Sequence, residues 1–553
     1  MAGKEGKMSV WIMKEKVNPG EILIIRLATT DDLKRENSII IRDATLADVP
    51  AMIVAEQKSW PKESQRATSE ILVSRMNIFP EGVKIAVKGN EVLGIASALL
   101  EDYSWENQPK SYFERTDNGL IRNHDLMGDT LSGTNIGVIP EAPPNVATAL
   151  MQAYMALAIR KGLAFALSSP RLPGYHKVQS KMTAREYAFL TDEKGRPLDP
   201  VIRLHTKMGL ELVDVLENYY PDEESCNCAA IVKWKNPFLP YYLTQSYNHS
   251  SQKTEMRMIF AIPGGCFWAK SAKGGCTMCG FQRGLDQFWE IAKIMGINLT
   301  DFVSIFERAL LHLKDTSSLD FFTGGSFWEI PDYIMASFFK RLNQIGQLKE
   351  VLIESRPEFV TRENVQKLKA MARPGLTLKV AIGLETVSDQ IREQNINKGF
   401  TRQAYEEAVK LLESEGLIPC TYVLLKPLGL SEKEAIAETV KTIEWASSKG
   451  SKFSLLQVAF IQGGTTLAQE YEKGKYRPPW LWSVMDILSR LSKKYDISLG
   501  RFDDYPPPIA TAHNCGQCDN EINAIFEEYR RTNRLPSQFP QCDCYPKWQA
   551  DIR

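Results

Sequence analysis

The sequence predicts an α/β protein in two parts: an N-terminal α/β domain, then a partial (β/α)6 barrel ending in a small Cys-rich C-terminal extension. Three observations predict it. In the second half, strand-like apolar runs alternate with helix-patterned stretches, which implies a parallel sheet with helices packed outside. Ahead of that alternation lies a polar stretch, YLTQSYNHSSQKTE from Tyr242 to Glu255, poor in large aliphatics, which reads as a linker. Seven of the ten cysteines fall in two tight clusters, one after the first of these strands and one near the C-terminus. Hydrophobic content of 44% and charged content of 24% are ordinary for a soluble globular protein. Lys plus Arg equals Asp plus Glu at 67 each. The zero net charge argues against a globally basic nucleic-acid binder and leaves a local basic patch open.

The expected boundaries are an N-terminal extension over 1–38, an α/β domain over 39–238, a linker over 239–255, a barrel over 256–505 and the extension over 506–553. No segment approaches the roughly 18 uninterrupted apolar residues that a membrane span needs. The opening MAGKEGKMSVWIMKEKVNPGE interrupts its apolar residues with charges and lacks a secretory core. A cytoplasmic protein without a membrane partner is expected. In such a chain, short cysteine spacings indicate metal ligation rather than disulfides.

The six strand-like runs are MRMIFAIP (256–263), LDFFTGG (319–325), EVLIES (350–355), LKVAIGLE (378–385), CTYVLLK (420–426) and SLLQVAFI (454–461). The helix between the last two, SEKEAIAETVKTIEWASSKG, opens on Ser-x-x-Glu and stops at Gly450, the expected start and stop chemistry. Parallel barrels collect their active residues at strand C-termini. Here those positions hold the first cysteine cluster, Gly324-Gly325-Ser326, Glu354 and Arg356, Glu385, Lys426, and Gln462-Gly463-Gly464.

The first cluster reads PGGCFWAKSAKGGCTMCGF, with Cys266, Cys276 and Cys279 spaced C-x9-C-x2-C. Three thiolates can hold three irons of a 4Fe-4S cluster and leave the fourth iron open. Structural zinc usually takes four Cys or His ligands, and this loop has no His. The glycines around the cysteines let backbone wrap closely around a cluster.

With FFTGGSFWE, ESRPEFV, AIGLETVSDQIREQNINKGF and YVLLKPLGLSEKEAI following in order, the chain from about Met256 onward resembles the Elongator-catalytic-subunit-like branch of radical S-adenosylmethionine (SAM) enzymes. Within it, the archaeosine-forming radical SAM family is the most similar. The resemblance implies that SAM chelates the open iron, that reduction by an external electron donor cleaves SAM to methionine and a 5′-deoxyadenosyl radical, and that this radical abstracts hydrogen from the substrate. By motif matching, Gly324, Gly325 and Ser326 would meet the SAM amino group. Glu354 and Arg356 would lie near its ribose or carboxylate, unless they form only a rim ion pair. Glu385 and Lys426 would face the substrate as catalytic residues, or pair with each other.

At the C-terminus, Cys515-x2-Cys518 and Cys542-x-Cys544 bracket a helical NEINAIFEEYRR. Two paired thiolate sets suit a closed structural zinc site, with His513 as an alternate ligand; an auxiliary iron–sulfur cluster stays open as the second reading. Cys420 falls in a strand and is expected in the core, and Cys226 and Cys228 read as structural.

In the N-terminal domain, IIIRDATLADVPAMIVAEQKSW, VKIAVKGNEVLGIASALL, TNIGVIPEAPPNVATALMQAYMALAIRKG and DPVIRLHTKMGLELVDVLENYYP resemble the elements of Gcn5-related N-acyltransferases (GNATs) over about Ile39 to Asn236. That family captures acyl-CoA pyrophosphate at a helix N-terminus, where free N–H groups and the helix dipole favour phosphate. The matching positions are Val138, Asn145 and Ala147, with acetyl-CoA as the implied ligand. Here Pro143-Pro144-Asn145 replaces the glycine-rich loop, and prolines lack N–H donors. The domain is therefore either an acyltransferase or a scaffold that binds substrate or partner. Glu217, Tyr219 and Tyr220 are acid–base candidates that packing at a domain rim would equally explain.

Two readings of the whole stand beside a noncatalytic metal-bound scaffold, which the intact cysteine triplet argues against. One is an enzyme acting on a modified nucleoside in tRNA, by archaeosine-like carbon–nitrogen cleavage or Elongator-like modification. The other acts on a small metabolite or peptide. Oligomeric state is not legible.

Overall fold

The computed structural model describes residues 13–14, 25–26, 39–103, 111–236, 239–294, 297–313, 315–504 and 506–553. Apart from two paired dipeptides, the extension expected over 1–38 lies outside the described residues. The chain forms two compact units. Among the described residues, one comprises 39–239 and 291–311; the other comprises 240–290 and 312–553.

The first unit is a seven-stranded sheet of β1 (Ile40–Asp43), β2 (Val83–Lys88), β3 (Glu91–Glu101), β4 (Thr130–Val138), β5 (Phe165–Ser168), β6 (Glu211–Leu216) and β7 (Ala229–Lys235), in the order β1-β2-β3-β4-β5-β7-β6. The β2–β3 hairpin turns at Gly89, whose φ of 59° suits glycine. Helix α1 (Val49–Ser59) follows a Thr45/Asp48 capping box, and α2 (Val146–Arg160) buries almost its whole length. All neighbours are antiparallel except β4 and β5, which pair only from Thr130–Phe165 to Ser132–Leu167. The pairing stops there because β5 ends at Ser168, while β4 runs on to Val138. A small cavity beside this pairing is lined by Leu131, Gly133, Ile136, Met151, Tyr154 and Leu167.

The second unit is an eight-stranded sheet of β8 (Tyr241–Asn248), β9 (Lys253–Ala261), β10 (Thr316–Phe322), β11 (Glu350–Ser355), β12 (Thr377–Glu385), β13 (Ile418–Leu425), β14 (Phe453–Val458) and β15 (Ile497–Leu499), paired in chain order. From β9 onward every pairing is parallel. All six runs read from sequence are strands. Outward-facing Val423, Leu425, Leu456 and Val458 join one core with helices α6 (Glu432–Ser448) and α7 (Leu481–Leu491). The helices between the earlier strands are α3 (Asp332–Leu342), α4 (Arg362–Met371) and α5 (Arg402–Ser414). The Ser431 side chain and Glu434 form the expected capping box, and Gly450, at φ 107°, ends the helix.

The linker expected over 239–255 is instead strand β8 and the start of β9, antiparallel from Tyr241↔Phe260 to Asn248↔Lys253. Its polar composition suits an edge strand, which leaves much of its surface in water. The turn joining the two strands enters the N-terminal end of the barrel. Asn248 Nδ2 donates to Glu350 Oε2 at 2.8 Å, and the His249 ring stacks on Phe453, with a ring nitrogen 3.0 Å from Ser498 Oγ. Glu350, Phe453 and Ser498 lie at or near the starts of β11, β14 and β15, so this turn plugs the bottom. Buried charges there are paired, Lys379 with Glu350 at 2.8 Å and Arg257 with Asp320 at 3.1 Å.

The Cys-rich extension is built into the same unit. In helix α8 (Asp519–Thr532), Tyr529 OH donates to Ile497 O (2.9 Å) and Arg530 Nη2 to Gly500 O (2.7 Å), satisfying carbonyls along the last strand. Thr254 Oγ1 donates to Arg531 O at 2.6 Å, so the helix spans from the last strand to the first hairpin. No described helix is long and apolar enough to cross a membrane.

Candidate active site

The loop after β9 carries Cys266, Cys276 and Cys279 and is pinned to its surroundings at six points. Cys266 N donates to Gln282 Oε1 (2.8 Å) and Phe267 N to Glu329 Oε1 (2.7 Å). Trp268 Nε1 donates to Asn397 O, Thr277 Oγ1 to Asn395 O, Asn397 Nδ2 to Gly275 O, and Gly280 N to Gln462 Oε1. The loop is thus fixed by the segments that follow β10, β12 and β14. Gly325 shows how close the approach is: a Cβ there would lie 2.0 Å from Gly265 O and 2.8 Å from Cys266 Cα. Burial pushes the Cys279 thiol up to about 12, with the neighbouring Cys276 and Cys266 adding to the rise and Lys398 opposing it. Cys276 is also raised by burial. Cys276 and Cys279, both raised by burial and by the neighbouring thiols, would therefore need a bound cation to ionise together. That donor set fits an iron–sulfur cluster held by three thiolates.

Around the loop, Ser326 Oγ accepts Arg356 N at 2.9 Å. Glu354 accepts from Thr323 N (2.7 Å) and Gly324 N (3.1 Å); burial raises its carboxyl to about 7 despite these donors. Arg356 donates through Nε to Glu358 (2.7 Å) and through Nη2 to Lys398 O (2.7 Å), and its guanidinium faces the rings of Phe267, Trp268 and Phe400. Glu354 and Arg356 thus have separate partners, which corrects the simple rim ion pair. Glu385 and Lys426 do not pair with each other either. Lys398 Nζ donates to Glu385 Oε1 at 2.7 Å, while Lys426 pairs with Glu432. Both strand-end residues have left-handed backbone, φ 67° and 63°, a strained state for non-glycine residues that clusters at functional sites.

Lys398 was not singled out from sequence. Although burial works against its charge, the carboxylate of Glu385 and the Cys276 thiol hold its ammonium above the ordinary range. It lies in an irregular segment after β12, where no periodicity marks inward positions.

At the C-terminus the four cysteines converge. Their sulfurs all lie within 4.8 Å of one another, with Cys515–Cys518 at 4.0 Å, Cys515–Cys542 at 3.5 Å and Cys518–Cys544 at 3.6 Å. Thiolates about 2.3 Å from one tetrahedral zinc stand about 3.8 Å apart. Thiolates on four separate irons would stand farther apart. Backbone N–H groups of Gln517 and Cys518 aim at Cys515 and lower its thiol to about 7. His513 is turned to Thr511 O at 2.9 Å and is not among the four.

In the first unit, Val138 ends β4 and Asn145 precedes α2 without capping it. Val146 N donates to Pro143 O at 3.1 Å, and the prolines offer no N–H. Tyr219 is buried, and Tyr220 OH donates to Ser64 O at 3.3 Å, as packing at a rim would have it. Cys226 and Cys228 belong to a small apolar cluster, and Cys420 is fully buried. Sequence reading also passed over Glu56 on α1. It is 1% exposed, accepts from Ala67 N (2.9 Å) and Asn135 Nδ2 (3.0 Å), and is raised by burial.

Fold and site together define a GNAT-like α/β unit followed by an incomplete parallel barrel of the Elongator-like type, with a three-cysteine loop at its mouth and a four-cysteine C-terminal site. No protein-family model matches the chain. It is 34% identical over 322 residues to an archaeosine synthase subunit beta of Thermococcus kodakarensis, covering 56% of this chain and 95% of that one. It is 32% identical over 308 residues to an archaeosine synthase subunit beta of Methanosarcina acetivorans, covering 54% and 85%. A Bacillus subtilis protein named as an uncharacterized N-acetyltransferase matches at 28% identity over 221 residues, covering 39% of this chain and 97% of its own. The chain belongs to the archaeosine synthase subunit beta family.

Proposed function

We propose that the chain is a radical SAM enzyme acting on a modified nucleoside in tRNA, with a 4Fe-4S cluster on Cys266, Cys276 and Cys279. The observation that carries this is the loop of three mutually interacting thiols, packed against Gly325 at a distance that excludes any Cβ. When bound, the reduced cluster and SAM supply one-electron cleavage to methionine and a 5′-deoxyadenosyl radical that takes hydrogen from the substrate. The chain's own residues orient the ligands and keep water out. Gly324, Gly325 and Ser326 present backbone to the SAM amino group. Glu354, near neutrality in its titration, can accept from or donate to ribose hydroxyls. Arg356 and Lys398 supply positive charge for a carboxylate, and Glu385 holds Lys398 in place. The nucleoside follows from the name shared by the two archaeal relatives.

The four C-terminal thiolates hold one structural zinc rather than a second cluster, a reading supported by their 3.5–4.0 Å spacing. The GNAT-like unit serves as a scaffold that binds substrate or partner. The Pro143-Pro144 loop supports this over acyl-CoA turnover.

The test is anaerobic reconstitution, addition of dithionite and SAM, and measurement of 5′-deoxyadenosine beside Cys276→Ala. Production by wild type alone is expected. No product from a fully loaded, reduced cluster would refute the reading.

A further inference from the structure

The barrel interior is layered, because alternate residues of each strand face inward. Val423 and Leu425, like Leu456 and Val458, pack outward on α6 and α7, which turns Tyr422 and Gln457 inward. Phe321 packs outward on Phe338 of α3, with ring centroids 5.6 Å apart, so Phe322 also faces in. Below these residues lies an apolar floor of Leu352, Ala381, Cys420 and Leu455, on which Phe322 and Tyr422 rest. Above them is the rim of Gly324, Arg356 and Glu385. The layer between comprises Phe322, Glu354, Gly383, Tyr422 and Gln457. Its four side chains are half-buried where the floor is buried, and over Gly383 stands the Lys398–Glu385 pair, with Lys398 Nζ 2.9 Å and Glu385 Oε1 3.2 Å from where a Cβ would lie. Among the described residues, neither the Tyr422 hydroxyl nor the Gln457 amide has a hydrogen-bond partner in the protein, and neither is sealed from a small probe.

We infer that Phe322, Tyr422 and Gln457 form the subsite that recognises a planar nucleobase with adjacent donor and acceptor atoms on its edge. The inference rests on the proposal above that the substrate is a nucleoside. An amide offers one acceptor and two donors side by side, which can pair with such an edge through two hydrogen bonds. A phenol can donate to a base carbonyl, and aromatic rings give a base a face to stack on. An aliphatic amino acid or peptide would leave this flat, aromatic layer unmatched. The base would then lie below Gly324, Gly325, Ser326 and Arg356 and beside Glu354, so that it meets SAM across Glu354 within the same barrel.

The experiment uses the reconstituted full-length chain with SAM. Guanosine, adenosine, uridine and cytidine are titrated by calorimetry, with free lysine as an aliphatic control. In parallel, SAM binding is read from the change it makes in the paramagnetic resonance spectrum of the reduced cluster. Wild type is expected to bind at least one nucleoside saturably. Tyr422→Phe and Gln457→Leu should each weaken that binding about tenfold, the worth of one hydrogen bond, with the SAM signal unchanged. Gln457→Glu, an acceptor-only edge when ionised, should shift preference toward guanosine, which presents two adjacent donors. The inference is overturned by unchanged nucleoside affinity in the variants, by binding of lysine but no nucleoside, or by variants that lose the SAM signal as well. A wild-type chain with a full cluster and no SAM signal overturns the proposed function itself. That result is distinguishable because it appears without any variant.

Discussion

Gly325→Ala is the sharpest probe of the cysteine loop. The added methyl would meet Gly265 O at 2.0 Å and Cys266 Cα at 2.8 Å, both backbone, where ordinary contact begins at 3.4 Å. The difference, 3.4 less 2.0, means that the loop must retreat by about 1.4 Å, and no side-chain rotation relieves it. Thiolate–metal bonds tolerate roughly 0.2 Å. Overpacking of this kind costs about 1–3 kcal/mol, or about 5- to 150-fold in an equilibrium constant. In the cluster-free chain the loop can relax outward, so melting should change little. In the loaded chain the loop must return, and the cost falls on cluster binding. The assay is iron and sulfide per chain after anaerobic reconstitution, next to the melting temperature. Gly346→Ala, which meets nothing within 4 Å, is the control. A Gly325→Ala protein that loads iron as fully as wild type would refute the claim that this approach sets the cluster site.

Elemental analysis of wild type should find one zinc per chain, and Cys518→Ser should lose it. Because Cys518 and Cys544 lie in the core that also holds Trp482 and Trp548, the loss should lower the melting temperature as well. Glu354 predicts a pH dependence whose sign is opposite to that of a salt-bridged carboxylate. Its folded value of about 7 lies above the ordinary 4.5, so the folded state binds more protons between those limits and stability falls as pH rises through them. The drop is at most about 3 kcal/mol, and Glu354→Gln should abolish that slope in melting measured from pH 5 to 7.5. Lys379→Met should cost about 3–5 kcal/mol, because it leaves Glu350 buried with neutral donors, Asn248 and Ser250, and no countercharge, and adding Glu350→Met should restore most of it. Denaturant midpoints of the two singles and the double measure this coupling; strict additivity would exclude it.

The six parallel strands were legible because buried parallel strands read as continuous apolar runs, and the helices between them carry caps such as Ser431 and Gly450. The three-cysteine loop was legible for the same local reason. What escaped depends on partners distant in sequence. Strand β8 looks like a linker, since YYLTQSYN exposes half its surface, and only pairing with Lys253–Ala261 makes it a strand. The three-residue β15 is too short to carry a pattern and is held by Tyr529 and Arg530, some 30 residues later. Glu385 and Lys426 were located correctly at strand ends, but not their partners: Lys398 sits in an irregular segment whose register no periodicity gives, and Glu432, though in the first turn of the helix read from sequence, carries no mark that it turns to Lys426.

The same distinction separates the two units chemically. In the barrel, inward and outward faces are set by strand alternation, so a run such as TYVLL already orders Tyr422 inward and Val423 outward once the helices are in place. Function there follows from a regular lattice with substitutions at chosen levels: charged and plugged at the bottom, apolar above, half-open at Tyr422 and Gln457, then the cysteine rim. In the first unit the frame is equally regular, with β4 and β5 paired in parallel from Thr130–Phe165 to Ser132–Leu167. Its sequence departs from the GNAT pattern at one loop, Pro143-Pro144-Asn145, where the two prolines carry no N–H. In the barrel, by contrast, the cysteine loop cannot keep its contacts with Gly325, Asn397 and Gln462 unless the whole mouth is retained.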